Sequence, residues 1–210
     1  MNSTVDSRYR ASHTRTMLSA RDNTEGSLTE EQKQIIVGCL LGDGAMRIKT
    51  NALLEINHCL EQKGLVDWIH SNLKEFVGIP PHARKGNGRR VAYRFTTRSL
   101  PPFTKLYKQF FLNGKKIIPT DIILSPLVLA VWFMDDGNRS RTSVYLNTQQ
   151  FSLEEQKFLC RMLYEQWDIE STLNKDKHYW RIRIRVSSVK KFVDLIAPYL
   201  LPEFYYKLPL

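Results

Sequence analysis

Two Asp-Gly pairs, each at the end of an apolar stretch, are the residues of this sequence best suited to act together in catalysis. Asp43 follows an apolar stretch that begins at Ile35, and Asp136 follows one that begins at Leu127, so the two acids lie 93 residues apart. The apolar residues predict two helices with an acid in the last turn, where the partial negative charge of a helix C-terminus disfavours it. If the two helices are adjacent, the carboxylates also repel each other, and a divalent cation is needed to neutralise them.

Two such acids support the chemistry of a metal-dependent phosphodiesterase. Oxygen ligands without a histidine or cysteine partner favour Mg²⁺, for which Mn²⁺ can substitute. Such an ion can activate water and stabilise the leaving oxygen of a phosphodiester. We therefore predict that Asp43 and Asp136 are catalytic and bind Mg²⁺, and we include the preceding residues, Gly42 and Asp135, in the candidate metal site. Because glycine stands in the first copy where Asp135 stands in the second, we expect Asp135 to have no catalytic role.

Each Asp-Gly pair also has a simpler interpretation. A single pair often begins a turn, in which the glycine, here Gly44 or Gly137, acts as a left-handed helix cap. Two pairs, each followed by the same elements, favour the catalytic interpretation.

The elements that must position the two acids occur twice. After each Asp-Gly pair come a polar hairpin-like segment, a helical pattern, an alternating strand and an apolar helix that leads to a lysine before a proline. These segments are residues 45–58, 61–76, 91–98 and the helix before Lys116 in the first copy, and 138–149, 152–167, 179–187 and the helix before Lys207 in the second. The second helical pattern opens with a capping box of Ser152 and Glu155. The sequence therefore predicts an α+β fold of two α-β-β-α-β-β-α units, at 28–120 and 121–210.

The composition indicates a folded protein that binds a polyanion. The 210 residues carry a net charge of +10, and 42% of them are hydrophobic. No stretch approaches the roughly 18 apolar residues that a membrane span needs. The three cysteines form no CxxC pair, which favours a reducing intracellular compartment and leaves cytoplasm and organelle matrix open. Residues 1–27 have few large apolar side chains and are predicted to be a flexible tail, with a transit peptide as the less favoured alternative.

The two motifs, IVGCLLGDG at residues 36–44 and LAVWFMDDG at 129–137, resemble those of the LAGLIDADG homing endonucleases in their single-chain, two-motif form. The resemblance implies that the two motif helices pack at a pseudo-twofold axis, below a saddle of two antiparallel sheets that lies along DNA. It further implies a monomeric enzyme that binds a long double-stranded target, hydrolyses one phosphodiester in each strand with Mg²⁺, and promotes the spread of its intron or intein.

The resemblance also carries roles to individual residues. It implies that His58 and Gln149 position water or phosphate, and that Lys116 and Lys207 lie beside the active centre. The alternative for the lysines is a solvated position on the surface. Independently, Gly38 and Gly42 share one helix face and would let the motif helices approach closely. Val131 replaces the corresponding glycine in the second motif, so we expect an asymmetric contact.

Basic residues indicate where DNA would bind. Residues 80–120 contain ten lysines and arginines but no aspartate or glutamate. The alternating strands present Arg94 and Arg98 in the first copy and Arg181, Arg183 and Arg185 in the second, which are candidates to read bases in the major groove. The other hairpins contribute Arg47, Lys49, Arg139 and Arg141. A turn with Arg84, Lys85, Arg89 and Arg90 is predicted to contact phosphates.

Two other functions remain open on the same fold. An RNA maturase would bind its host intron RNA with the basic saddle, and a DNA-binding regulator would need no catalytic acids. Because both motif acids are retained, we favour DNA cleavage, although cleavage and maturase activity can coexist.

Overall fold

The computed structural model describes residues 27–85 and 91–209, which form two successive sets of matching elements. The first set comprises α1 (Glu30–Leu41), β1 (Ala45–Ile48), β2 (Ala52–Cys59), α2 (Lys63–Leu73), β3 (His82–Lys85), β4 (Val91–Thr96) and α3 (Pro101–Phe110). A small hairpin of β5 (Phe111–Leu112) and β6 (Lys115–Lys116) follows it. The second set comprises α4 (Pro126–Asp136), β7 (Gly137–Ser140), β8 (Ser143–Leu146), α5 (Leu153–Trp167), β9 (Ser171–Asp176), β10 (Tyr179–Ile184) and α6 (Val186–Ile196).

Each set contains a four-stranded antiparallel sheet with the same strand order. The order is β1-β2-β4-β3 in the first sheet and β7-β8-β10-β9 in the second. Helices α2 and α3 pack on the first sheet, and α5 and α6 on the second. The predicted α+β fold with antiparallel sheets is confirmed.

Local sequence signals determine where the helices begin and end. Ser152 and Glu155 form the predicted capping box at the start of α5. Helix α1 ends at Leu41, and the N–H of its C-cap residue Gly42 donates to the Gly38 and Cys39 carbonyls. Asp43 therefore lies just beyond its helix, whereas Asp136 is the last residue of α4. The prediction of an acid in the last helical turn holds for Asp136 and is wrong for Asp43, because the chain leaves the helix at Gly42.

The left-handed caps considered for Gly44 and Gly137 do not form. Gly137 has a φ of −83°, and within the described residues Gly114 is the glycine with positive φ. Close packing accounts for the glycines instead. A Cβ on Gly44 would lie 2.7 Å from the Cys39 carbonyl oxygen, and one on Gly137 would lie 2.5 Å from that of Phe133.

The two motif helices, α1 and α4, pack against each other at the centre of the molecule. A Cβ added to Gly38 would lie 2.6 Å from the Val131 Cβ and 2.9 Å from the Val128 carbonyl oxygen. The missing side chain of Gly38 thus makes room for Val131, which confirms the predicted asymmetry of this contact. Residues 127–135 of α4 are all buried, because α4 is enclosed by both halves.

Among the helices of residues 27–85 and 91–209, none combines the length and the apolar character needed to cross a membrane.

Candidate active centre and nucleic-acid interface

The packing of α1 on α4 brings Asp43 and Asp136 to the same end of the helix pair. Asp43 is exposed and Asp136 is half-buried. The pKa of Asp136 is raised from 3.8 to about 7, chiefly by burial and further by the neighbouring carboxylate of Asp43. The two acids are therefore close enough to repel each other, as their paired positions in the sequence predicted.

Asp135 lies deeper, between the two halves. Its side chain is fully buried, and its Oδ2 accepts a hydrogen bond of 3.0 Å from the backbone N–H of Asp43. Its Oδ1 lies 3.1 Å from Nε2 of His58, whose side chain is also buried. Burial raises the pKa of Asp135 well above its ordinary value, and the Asp43 and Asp136 carboxylates add to the increase.

Two lysines bind backbone carbonyls at the ends of the motif helices. Lys116 Nζ donates to the carbonyl oxygens of Gly42 and Gly44, at 2.9 and 2.8 Å. Lys207 Nζ donates to the Met134 carbonyl oxygen at 2.6 Å. A helix C-terminus leaves carbonyls without intrahelical partners and carries partial negative charge, which explains why a cation is stable there.

Lys207 is buried, with 7% of its surface exposed, and Lys116 is half-buried. Burial lowers the pKa of each lysine, and nearby acids, Asp135 foremost, oppose that shift. The alternative interpretation of Lys116 and Lys207 as solvated surface residues is wrong.

The donor set at this centre suits a divalent cation. Ligand atoms of Asp43, His58 and Asp135 lie within 4.8 Å of one another, and Asp136 lies close enough to interact with Asp43. The Gly42 carbonyl already accepts hydrogen bonds from Lys116 and from Gln150, which occupy its two lone pairs. The carboxylates of Asp43 and Asp136 are therefore better placed than the Gly42 carbonyl to hold Mg²⁺.

The outward face of the first sheet carries a cluster of opposite charges. Burial along β2 alternates, with Leu54, Ile56 and His58 buried and Glu55 on the other face. Nη2 of Arg47 is 2.9 Å from Glu55 Oε2, and Nη2 of Arg94 is 3.2 Å from Glu55 Oε1. Glu55 thus holds one arginine from each neighbouring strand on the face that helices leave uncovered.

The second sheet presents the predicted arginine row in part. Arg181 and Arg183 alternate along β10 with Ile182 and Ile184, which are buried in the core. The Arg181 guanidinium lies over the ring of Tyr145, 4.1 Å from its centroid. Both arginines therefore lie on the outward face, as the alternation predicted.

Comparison with known proteins assigns the chain to a family. Residues 33–192 match the LAGLIDADG DNA endonuclease family. The chain belongs to this family. Among solved structures it is similar to the homing endonuclease I-WcaI bound to its DNA recognition sequence, with a TM-score of 0.81, 27% identity, and coverage of 92% of this chain and 95% of that chain.

Two curated relatives show the range of proteins that this LAGLIDADG chain resembles. A probable intron-encoded endonuclease of Wickerhamomyces canadensis is 29% identical over 197 residues, covering 87% of this chain and 85% of the relative. The cytochrome b mRNA maturase bI2 of Debaryomyces hansenii is 37% identical over 127 residues, covering 58% of this chain and 48% of the relative. The chain spans about half the length of that maturase.

In this LAGLIDADG protein, the Gln149 side chain forms a hydrogen bond with the second sheet. Its Nε2 donates to Asp176 Oδ2 on β9 at 3.1 Å. The adjacent Gln150 reaches the centre, where its Nε2 donates to the Gly42 carbonyl oxygen at 2.9 Å and to that of Leu41 at 3.3 Å. The role of Gln149 in positioning water or phosphate stays a prediction, and Gln150 is a residue of the centre that sequence reasoning missed.

Asn147 is a second residue of the centre that sequence reasoning missed. Its Nδ2 donates to the Asp136 backbone carbonyl at 2.7 Å and to Asp136 Oδ1 at 3.2 Å. The sequence offered one signal for Asn147 and Gln150, since both belong to the polar segment 147–150 that follows the second hairpin.

Two of the arginines predicted on strands lie outside them. Strand β4 ends at Thr96, and Nη2 of Arg98 donates to the Glu75 carbonyl oxygen at 2.5 Å. Strand β10 ends at Ile184, so Arg185 is the N-cap residue of α6 and lies 3.8 Å from Glu170. Neither arginine shares a strand with its predicted row, because β4 and β10 both end before the positions that the alternation suggested.

The remaining predicted DNA contacts occupy hairpins and edges. Lys49 and Arg141 lie in the turns of the first hairpin of each unit. Arg139 is exposed on the edge strand β7, opposite the buried Val144. Arg84 and Lys85 are exposed on the edge strand β3, and Arg89 and Arg90 lie outside the described residues.

Proposed function

We propose that this protein is a site-specific endonuclease that binds a long double-stranded DNA target and hydrolyses one phosphodiester in each strand, promoting the spread of its intron or intein. The observation that carries the proposal is the meeting of Asp43 and Asp136 at the end of two packed helices. Their mutual repulsion and the burial of Asp136 cost stability, and both costs are offset when a divalent cation binds.

The residues of the centre support metal-dependent hydrolysis. Asp43 and Asp136 would hold Mg²⁺, with Mn²⁺ as a substitute, and the ion would supply an activated water and stabilisation of the leaving oxygen. Lys116 and Lys207, fixed on carbonyls beside the acids, add positive charge where a phosphodiester gains negative charge during hydrolysis. The imidazole of His58 would help to position water or phosphate.

The two sheets support DNA binding. Arg47 and Arg94 on the first sheet and Arg181 and Arg183 on the second face away from the helices, and arginine on strands can read guanine in the major groove. Each motif acid would serve one DNA strand, by the same correspondence of protein and DNA symmetry that dimeric DNA-binding proteins use. Because one chain supplies both halves, we propose a monomer, and light scattering of the full chain at micromolar concentration should give one chain's mass.

The experiment that tests this proposal compares two plasmids. One carries the uninterrupted host locus and the other the same locus interrupted by the intervening sequence, and each is incubated with the protein in Mg²⁺, in Mn²⁺ or in EDTA. We expect linear product from the uninterrupted locus with either metal and none in EDTA. Cleavage in EDTA, or equal cleavage of both plasmids, would contradict the proposal.

An RNA maturase is the second candidate function, because 127 residues are 37% identical to a cytochrome b mRNA maturase. A maturase would bind the host intron RNA on the basic sheets and would not need Asp43 or Asp136 for splicing. The two functions are separated by splicing of the host intron RNA in the presence of an Asp136→Asn variant. A chain that promotes splicing but leaves the plasmid intact is a maturase.

A further inference from the structure

The side chain of Asp135, in the second motif, enters the turn that follows the helix of the first motif. It corresponds to Gly42, 93 residues earlier, and a Cβ on Gly42 would lie 2.8 Å from Asp135 Cγ. The glycine in one motif therefore leaves the space that the acid of the other motif fills. A fully buried carboxylate is costly, so the contacts that Asp135 makes there call for an explanation.

Those contacts join Asp135 to two residues of the first half. Its Oδ2 accepts from the backbone N–H of Asp43 at 3.0 Å, and its Oδ1 lies 3.1 Å from Nε2 of His58. Both partners are candidates for the chemical step, and Asp135 is shielded from solvent behind them. Its position fixes where the backbone of Asp43 can lie, without exposing Asp135 itself to a substrate.

The turn that carries Asp43 is supported from both halves, whereas Asp136 is supported from its own. Gln150, from the second half, donates to the Gly42 carbonyl oxygen at 2.9 Å, so it reaches the same turn as Asp135. On the other side, the Asp136 carboxylate accepts from Asn147 and the preceding Met134 carbonyl accepts from Lys207, both from the second half. The two acids thus depend on different supporting residues.

We propose that Asp135 is a positioning residue that holds Asp43 in register for cleavage of one of the two DNA strands. This inference rests on the proposed endonuclease function, in which each motif acid serves one strand. A displacement of about 1 Å at a reacting group can cost on the order of 100-fold in rate. Loss of the Asp135 carboxylate therefore slows the strand served by Asp43 more than the strand served by Asp136.

The test uses the full chain, a supercoiled plasmid that carries the target, and Mg²⁺. Nicked and linear products are followed over time, and end labels identify which strand is cut. With Asp135→Ala we expect nicked plasmid to accumulate, with one strand cut at about the parental rate and the other at least about tenfold more slowly. Asp135→Asn keeps an oxygen that can accept from the Asp43 N–H, so it should restore most of the cutting of the slow strand.

Two further variants make the strand preference decisive. Gln150→Ala removes the second support of the Asp43 turn and should slow the same strand as Asp135→Ala, even if the latter variant proves too unstable to purify. Asn147→Ala removes the support of Asp136 and should slow the opposite strand. Equal slowing of both strands by Asp135→Ala or by Gln150→Ala overturns the positioning role. A parental protein that cuts neither strand instead contradicts the proposed function.

Discussion

At the level of single residues, the half-buried carboxyl of Asp136 makes the stability of the protein depend on pH. In the metal-free protein its pKa is raised from 3.8 to about 7, chiefly by burial. The folded chain therefore binds this proton more tightly than the unfolded chain does. The contribution of Asp136 to the free energy of unfolding is greatest below pH 3.8, and it falls as the pH rises through the interval up to about 7.

Asp136→Asn should remove this dependence while keeping the shape of the side chain. In EDTA, we expect the melting temperature of the variant minus that of the parent to increase between pH 5 and pH 8.5, because only the parent gains a buried charge in that interval. Asp121→Asn, which changes an exposed carboxyl, is the control. Thermal unfolding at several pH values checks the prediction, and a difference that stays constant with pH would contradict it.

At the level of elements, the contact between α1 and α4 decides whether the two acids meet. Val131 lies directly against Gly38. A Cβ added to Gly38 would also lie 2.9 Å from the Val128 carbonyl oxygen. Backbone cannot yield as a flexible side chain can, so a larger residue must push the helices apart.

Gly38→Ala should destabilise the protein by about 1 to 3 kcal/mol, the usual cost of overpacking a close-packed core. Gly78→Ala is a matched control, because a Cβ on Gly78 would meet nothing nearer than Arg98 Cγ at 3.9 Å. Urea unfolding measures both variants. Equal free energies of unfolding for Gly38→Ala and the parent would show that α1 and α4 are not packed as described.

A basic residue on a central strand and one on an edge strand should differ in whether they contact bases or phosphates. Arg183→Ala, on the central strand β10, should weaken binding to the target more than binding to random DNA, because base contacts carry the discrimination. Lys85→Ala, on the exposed edge strand β3, should weaken both about equally. Titrations of each variant with target and random duplexes measure the two ratios, and equal ratios would assign Arg183 to the phosphate backbone.

Periodicity and capping predicted the elements, but not the directions in which their ends turn. The apolar spacing and the Ser152 capping box placed the helices, since both depend on neighbours in sequence. The choice between Gln149 and Gln150 depends on the geometry of one turn, which two adjacent glutamines do not reveal.

The contacts of Asp135 also could not be predicted from the sequence. Its partners Asp43 and His58 lie in the other half of the chain, and a local pattern carries no information about them. The sequence repeat did predict that Asp43 and Asp136 meet, because it pairs equivalent positions of the two halves along their whole length.

At the level of the whole molecule, the net charge of +10 and the outward arginines predict that DNA binding depends strongly on salt. The logarithm of the binding constant should fall by about 0.9 per logarithmic unit of salt for each phosphate neutralised. Fluorescence titrations of a labelled duplex at several salt concentrations give the slope. A slope near zero would remove the sheets from consideration as the DNA surface.

The central claim is that Asp43 and Asp136 form one metal-dependent centre, and the most direct measurement is cleavage by the Asp43→Asn and Asp136→Asn variants. Both variants should be at least as stable as the parent in EDTA and should still bind the target, because asparagine keeps the shape of the side chain and each variant removes one of two neighbouring negative charges. Linearisation of a target plasmid in Mg²⁺ should fall at least about 100-fold for each. If Asp136→Asn linearises the plasmid at nearly the parental rate, or if both variants unfold, the two acids are structural and the claim is wrong.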